Sequence, residues 1–226
     1  MKIALLLSGL PRVVNPGYQK TWKRIIDNYD TDVYLHTWKD NSWGCEWEEV
    51  ERVYNFSNVK SLHIQSPFKF TEYKTGISLP HTDKSRPLPE YDVMSCFRQL
   101  PMFYSWQKVY QDCYDSKVQY DCIIRSRYDM EIFYPSFMDA INLNVLNIGP
   151  GGQFFDDNLC ISNQDNSNKV FHNIFDRLIN KSRESGVLKS AEQTWTGLID
   201  DSGCPAEVNH ALHFRVLRED MVWWAE

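Results

Sequence analysis

The sequence predicts an α/β protein: a single domain with a mostly parallel central sheet and helices on both faces. Three observations carry that prediction. The chain opens on an unbroken apolar run, Ile3-Ala4-Leu5-Leu6-Leu7, the pattern of a strand covered on both sides. Short apolar runs then alternate with stretches of helical period in the order β-α-β-α-β, which favours parallel pairing through crossovers. Finally, 226 residues, 42% hydrophobic and 24% charged, suit one folded domain, and no repeat or linker divides them.

Each element has its own signal. After the first strand, Tyr18, Trp22, Ile25, Ile26 and Tyr29 recur at the spacing of one helix face. Asp32–His36 reads as a second strand, Trp47–Tyr54 as a short helix with Trp47, Val50 and Tyr54 on one side, and Val59–Ile64 as a third strand. Pro67–Pro89 contains four of the ten prolines and no period, which predicts a long surface loop. Helical period returns with Val93, Phe97, Leu100, Phe103, Tyr110, Cys113 and Tyr114, and Pro101 within it predicts a kink or a late start. Asp121–Arg127 is the next strand, apolar first and charged at its carboxyl end. Weaker strands are expected at 145–148 and 158–161, on either side of the turn Gly149-Pro150-Gly151-Gly152. Helices are expected over Ser167–Ile179 and Ala191–Ile199, and a last strand over His213–Val216.

The composition excludes several classes of function. With 24 Lys+Arg against 30 Asp+Glu the net charge is −6, the wrong sign for bulk nucleic-acid binding. No stretch approaches the roughly 18 apolar residues of a membrane span, and the first apolar run is too short for a signal peptide. Cys45, Cys96, Cys113, Cys122, Cys160 and Cys204 include no C-x-x-C pair, so free, mostly buried thiols are expected and zinc is not. A cytoplasmic protein (host cytoplasm, if viral) fits these features.

Four stretches could carry chemistry. Ser8-Gly9-Leu10-Pro11-Arg12 follows the first strand, where loop backbone can approach a ligand at the sheet's carboxyl edge. It is neither a G-x-G-x-x-G nor a P-loop; the plain alternative is a tight strand exit with Arg12 in water. His36, Thr37 and Trp38 end the second strand and suit base stacking and ribose contact, or else form a core Trp beside a satisfied His. Arg125-Ser126-Arg127-Tyr128-Asp129 is the most informative. If the strand persists, alternation puts Arg125, Arg127 and Asp129 on one side, two forks for phosphate and a carboxylate for a cation or a sugar hydroxyl. A structural salt-bridge cluster is the alternative. In Phe154-Phe155-Asp156-Asp157-Asn158 adjacent acids face apart, so one of them can serve as a general base. Glu192 and the Asp200-Asp201 pair are further acids.

Taken together, these stretches resemble small bacterial and viral glycosyltransferase-like proteins, close to the WavE-type lipopolysaccharide-synthesis group. The resemblance rests on residues 2–12, 32–38, 120–129 and 155–159, in that order along the chain. It implies a GT-A-like domain over 1–226, with a nucleotide-binding part to about residue 130 and an acceptor part beyond. It also implies transfer of a sugar from a nucleoside-diphosphate donor to a carbohydrate acceptor. On this reading Ser8, Gly9, Arg12, His36, Thr37, Trp38, Arg125 and Arg127 hold the donor, and Asp129 binds Mn²⁺ or Mg²⁺ or the donor sugar. Asp157, or Asp156 in its place, takes the acceptor's proton. The sequence departs from the family's D-x-D metal motif, because Arg127 stands two before Asp129 and Glu131 two after it. An arginine repels a cation and attracts phosphate directly. Other readings of the same residues are a non-catalytic carbohydrate- or nucleotide-binding module and a phage-type enzyme that glycosylates modified DNA bases.

Overall fold

In the computed structural model, which describes residues 1–39, 45–67, 90–150, 155–185 and 191–217, the sheet is built outward from its first strand. β1 (Lys2–Gly9) has Ile3 to Leu7 fully buried. It pairs in parallel with β2 (Asp30–Trp38) on one side, and β2 pairs in parallel with β3 (Val59–Gln65). Between β1 and β2 the chain is helical through α1 (Val14–Gly17), a π-turn over Tyr18–Trp22 and α2 (Lys23–Asn28); α3 (Trp47–Val53) lies between β2 and β3.

After the expected long loop, which lies almost wholly outside the described residues, α4 (Glu90–Asp115) returns the chain to the other side of β1, where β4 (Cys122–Ser126) again pairs in parallel. The helix runs through Pro101 and does not start late. Its buried face is Leu100, Phe103, Trp106, Val109, Tyr110 and Cys113. Trp106 and Val109 were missing from the sequence pattern, and Tyr114, which the pattern included, is 36% exposed.

β5 (Met130–Ile132), β6 (Leu146–Ile148), β7 (Cys160–Ser162), α5 (Gln164–Phe171), α6 (Ile174–Ser185), α7 (Ala191–Ser202), β8 (Ala206–Val208) and β9 (Phe214–Val216) follow. The main sheet has seven strands in the order β3-β2-β1-β4-β7-β6-β8. β7 is antiparallel to both neighbours and β6 is parallel to β8, so among the described strands six run one way and β7 alone is reversed. β5 and β9 form a separate antiparallel ribbon. The single helix expected over Ser167–Ile179 is two: Asn173 takes a left-handed conformation (φ 53°), which an asparagine tolerates, and α6 starts afresh beyond it.

Strand alternation divides the core. Ile3, Leu5, Leu7, Val33, Leu35, Cys122 and Ile124 pack on Val14, Trp22, Ile25, Val50 and Tyr54 from the α1–α3 side. Ala4, Leu6, Tyr34 and Ile123 pack on α4 to α7 through Phe103, Trp106, Phe171, Leu178 and Trp195. Helices therefore cover both faces of a mostly parallel sheet in one α/β domain, the fold class the sequence predicts. The five described cysteines are free, and burial pushes the thiols of Cys113, Cys122 and Cys160 up to about 12, so they are inert. No helix among the described residues is long and apolar enough to cross a membrane.

Candidate active site

Register brings the candidate stretches to one edge. Ser8 stands opposite His36, Gly9 opposite Thr37, and Leu7 opposite Ser126. β7, being reversed, pairs its first residue, Cys160, with Arg125, so the segment leading into it, Asp156–Asn158, arrives at the same carboxyl edge. The chain leaves β1 towards β2 and β3 over one face and returns through α4 over the other to reach β4. The gap between β1 and β4 is therefore the topological switch point, where open α/β sheets bind ligands.

On the β1 side, Ser8 is buried and its Oγ has no hydrogen-bond partner among the described residues. Gly9 has φ +116°, a conformation that excludes other residues, and a Cβ there would meet nothing within 4 Å. Backbone at this point is open to a ligand. Thr37 donates from Oγ1 to the Gly9 carbonyl (3.3 Å). Arg12 is half-exposed and makes no ion pair or hydrogen bond to the described residues. The turn it belongs to is held by Glu46, which sequence reasoning missed: its N–H donates to the Pro11 carbonyl (2.8 Å) and its Oε2 accepts from the Val14 N–H (2.9 Å). Val13, between them, is held at φ 48°, a costly conformation for a β-branched residue that the surrounding contacts impose.

His36 and Trp38 lie deeper than a base-stacking role asks. His36 is fully buried and Trp38 is 4% exposed, their rings edge to face at 4.9 Å with Tyr104 beside both. Burial lowers the His36 imidazole to about 4, so it is neutral at pH 7; its Nε2 lies 3.3 Å from Gln65 Oε1. Thr37 is fully buried as well, and its bond to the Gly9 carbonyl ties the ends of β1 and β2 together.

On the β4 side the strand ends at Ser126, and the two arginines part. Arg125 points into the core, 2% exposed, its guanidinium 3.3 Å from the centroid of the Trp106 ring and its Nη1 donating to the Asp157 carbonyl. Burial lowers it to about 10, still charged at neutral pH. Arg127, beyond the strand, has a side chain 29% exposed and forks onto Asp129, Nε to Oδ1 at 2.7 Å and Nη2 to Oδ2 at 2.8 Å. Its Nη1 donates to Asn158 Oδ1 (3.0 Å). Burial opposes the Arg127 charge, but Asp129 outweighs it and the guanidinium is held above its ordinary value.

Asp156 bonds within its own turn, Oδ1 accepting from the Asn158 N–H (2.7 Å) and Oδ2 from Asn158 Nδ2 (3.3 Å). Burial raises its carboxyl, opposed by those bonds and by Arg125 and Arg127. Asp157 follows, its carbonyl held by Arg125. Phe154, the last two glycines of the expected turn and the side chain of Glu192 lie outside the described residues. Asp201 is exposed at the end of α7 and pairs with Lys181, away from this cluster.

Asp129 is fully buried and both its oxygens are taken by Arg127. Among the described residues no group of three or more His, Cys, Asp or Glu side chains could hold a metal ion. With both oxygens bonded to the Arg127 guanidinium, Asp129 does not fit a divalent cation in this arrangement.

No protein-family model and no curated protein matches the chain. Among solved structures it is similar to the glycosyltransferase GlyE of Streptococcus pneumoniae TIGR4, at 11% identity over 92% of this chain and TM-score 0.46; the chain spans 45% of that protein's length. It is similar to a glycosyltransferase involved in glycosylation of the major capsid of PBCV-1 (9% identity, 93% of this chain and 82% of that one, TM-score 0.42). A third is the inositol-1-phosphate CTP transferase of T. maritima (11% identity, 97% and 92%, TM-score 0.46).

Proposed function

We propose that the chain transfers a sugar from a nucleoside-diphosphate donor to a carbohydrate acceptor, of the lipopolysaccharide type that the sequence resemblance implies. The observation that carries this reading is the convergence, at the β1/β4 switch point, of an open glycine backbone, a half-exposed guanidinium and a half-buried acid segment. Ser8, Gly9 and Arg12, with Thr37, hold the nucleotide. Arg127, oriented by Asp129, meets the charge that develops on the departing diphosphate, where preorganised donors act most strongly. Asp157 takes the acceptor's proton, with Asp156 fixing the turn that presents it. No step needs a cation at Asp129.

A single-turnover screen of nucleotide sugars, reading the release of free nucleoside diphosphate in the presence of oligosaccharide acceptors, tests the reading. Release that depends on both donor and acceptor is expected. Tight nucleotide binding without release under any acceptor would leave a binding module, and release that requires DNA would move the acceptor to modified bases.

A further inference from the structure

We propose that Asn158 is a positioning residue that ties the two halves of the site together: its side-chain carbonyl holds Arg127 and its amide holds the carboxylate of Asp156. The inference rests on the preceding reading, in which Arg127 meets the departing diphosphate and the Asp156 turn presents the base. It adds that one side chain sets both, so that an anion on Arg127 is felt at the acid turn.

A guanidinium carries five N–H donors in a rigid plane. In Arg127 two of them go to Asp129, at 2.7 and 2.8 Å, and a third, on Nη1, goes to Asn158 Oδ1 at 3.0 Å. The side chain is 29% exposed, and the two N–H groups left unclaimed among the described residues are free to meet a phosphate oxygen. The fork on Asp129 fixes one edge of the guanidinium. The bond to Asn158 fixes a second, so that pivoting about the fork breaks a hydrogen bond.

On its other side Asn158 faces Asp156. Its Nδ2 donates to Asp156 Oδ2 (3.3 Å) and its N–H to Oδ1 (2.7 Å), so one residue takes both carboxylate oxygens. Its own carbonyl accepts from Ser126 Oγ (3.1 Å), and Leu159 beside it is fully buried. Each polar group of Asn158 therefore has a partner, and the amide fits only one way round. Reversed, it would set its NH₂ against a guanidinium and its oxygen against a carboxylate. An amide also serves both partners without adding charge, whereas an aspartate here would repel Asp156 and a lysine would repel Arg127. The outcome is one chain of hydrogen bonds, Asp129–Arg127–Asn158–Asp156, from the exit of β4 to the segment entering β7. At its far end the Asp156 carbonyl accepts from Trp195 Nε1 (3.1 Å), so the indole of α7 reports on the acid turn. Such coupling matters to transfer because a misplacement of about 1 Å can cost about 10²-fold in rate.

The test uses the full chain labelled with ¹⁵N-tryptophan, the Trp195 indole N–H reporting on the acid half while the donor half is perturbed. Arg127→Lys, and separately saturating inorganic pyrophosphate, should each shift the Trp195 signal when Asn158 is present. In an Asn158→Ala protein that melts cooperatively, both shifts should disappear. A merely structural amide would lower the melt without making the response of one half depend on the other. A Trp195 signal that answers Arg127→Lys equally with and without Asn158 would overturn the proposal, since the backbone of β4 and β7 would then join the halves. So would a signal that does not answer Arg127→Lys at all. Should the alanine variant not fold, Asn158→Leu, close in shape and without polar groups, takes its place under the same criteria. In transfer assays Asn158→Ala should lower kcat about tenfold, and a wild-type kcat would overturn the positioning role. Failure of pyrophosphate to bind would count against the donor reading, with the linkage still decided by the response to Arg127→Lys.

Discussion

Gly17 is where one missing methyl group decides how closely two parts of the site approach. A Cβ at this position would lie 2.0 Å from the Tyr128 carbonyl oxygen, so even alanine drives α1 away from the backbone that leads into Asp129. Overpacking of this kind costs about 1–3 kcal/mol, and Gly17→Ala should lower the melting temperature by several degrees; an unchanged melt would mean that the two backbones are not in contact. At Asp157 the expectation is opposite in kind. Asp157→Asn should reduce transfer about 10²–10⁴-fold while donor affinity and the melt stay nearly unchanged. Asp156→Asn should cost less rate and more stability, since Asp156 oxygens satisfy the Asn158 N–H and amide. Reversed sensitivities would shift the base by one residue within the same segment. At this scale the sequence shows which residues gather and not how they pair. The parity of Arg127 and Asp129 is readable, but that they fork onto each other, and that Arg125 turns inward onto Trp106, depends on where β4 stops and on a tryptophan more than fifteen residues away.

Among elements, the amino ends of β1, β2 and β3 meet in a network far from the candidate site. Tyr120 Oη donates to Asp32 Oδ2 (2.9 Å), Lys2 Nζ lies 3.3 Å from the same oxygen, and Lys60 Nζ lies 3.2 Å from Oδ1. Burial of Asp32 opposes its ionisation, but the Tyr120, Lys60 and Lys2 contacts outweigh it and hold the carboxyl below its ordinary value. The folded-state value is depressed, so the stabilisation is fully present above the unfolded value near 4 and is lost as pH falls through the lower, folded one. Asp32→Asn should therefore melt lower than wild type at pH 7, with the gap closing below about pH 4; a gap that persists at pH 2 would show that Asp32 acts through packing and not through charge. β1, β2 and β4 were legible because strands buried on both faces read as apolar runs, and β3 and α4 because burial on one face imposes a period. β5 and β8 had no expectation of their own, whereas β6, β7 and β9, equally short, were expected, the first two from the glycine turn between them. The break between α5 and α6 turns on the single backbone conformation of Asn173.

Over the whole molecule, the account depends on topology. Residues 8, 37, 127 and 157 are spread over 150 positions, and only the parallel order β2-β1-β4 with the reversed β7 beside it brings them to one edge. The blocks were visible in the sequence in their correct order; their convergence was visible only as an implication of an α/β fold. The pairing of β9 with β5, and the bonds from Trp195 and Arg125 to the carbonyls of Asp156 and Asp157, had no sequence signal of their own. The central claim is that the β1/β4 gap takes a nucleoside diphosphate, and backbone amide NMR during titration with UDP, GDP, ADP, CDP and TDP tests it most directly. At least one of them should shift Ser8, Gly9, Thr37 and Arg127 together, and at 100 times its dissociation constant it should add about 2.7 kcal/mol to stability. Shifts confined to the opposite edge around Lys2, Asp32 and Lys60, or no shift with any of the five at millimolar concentration, would contradict the account.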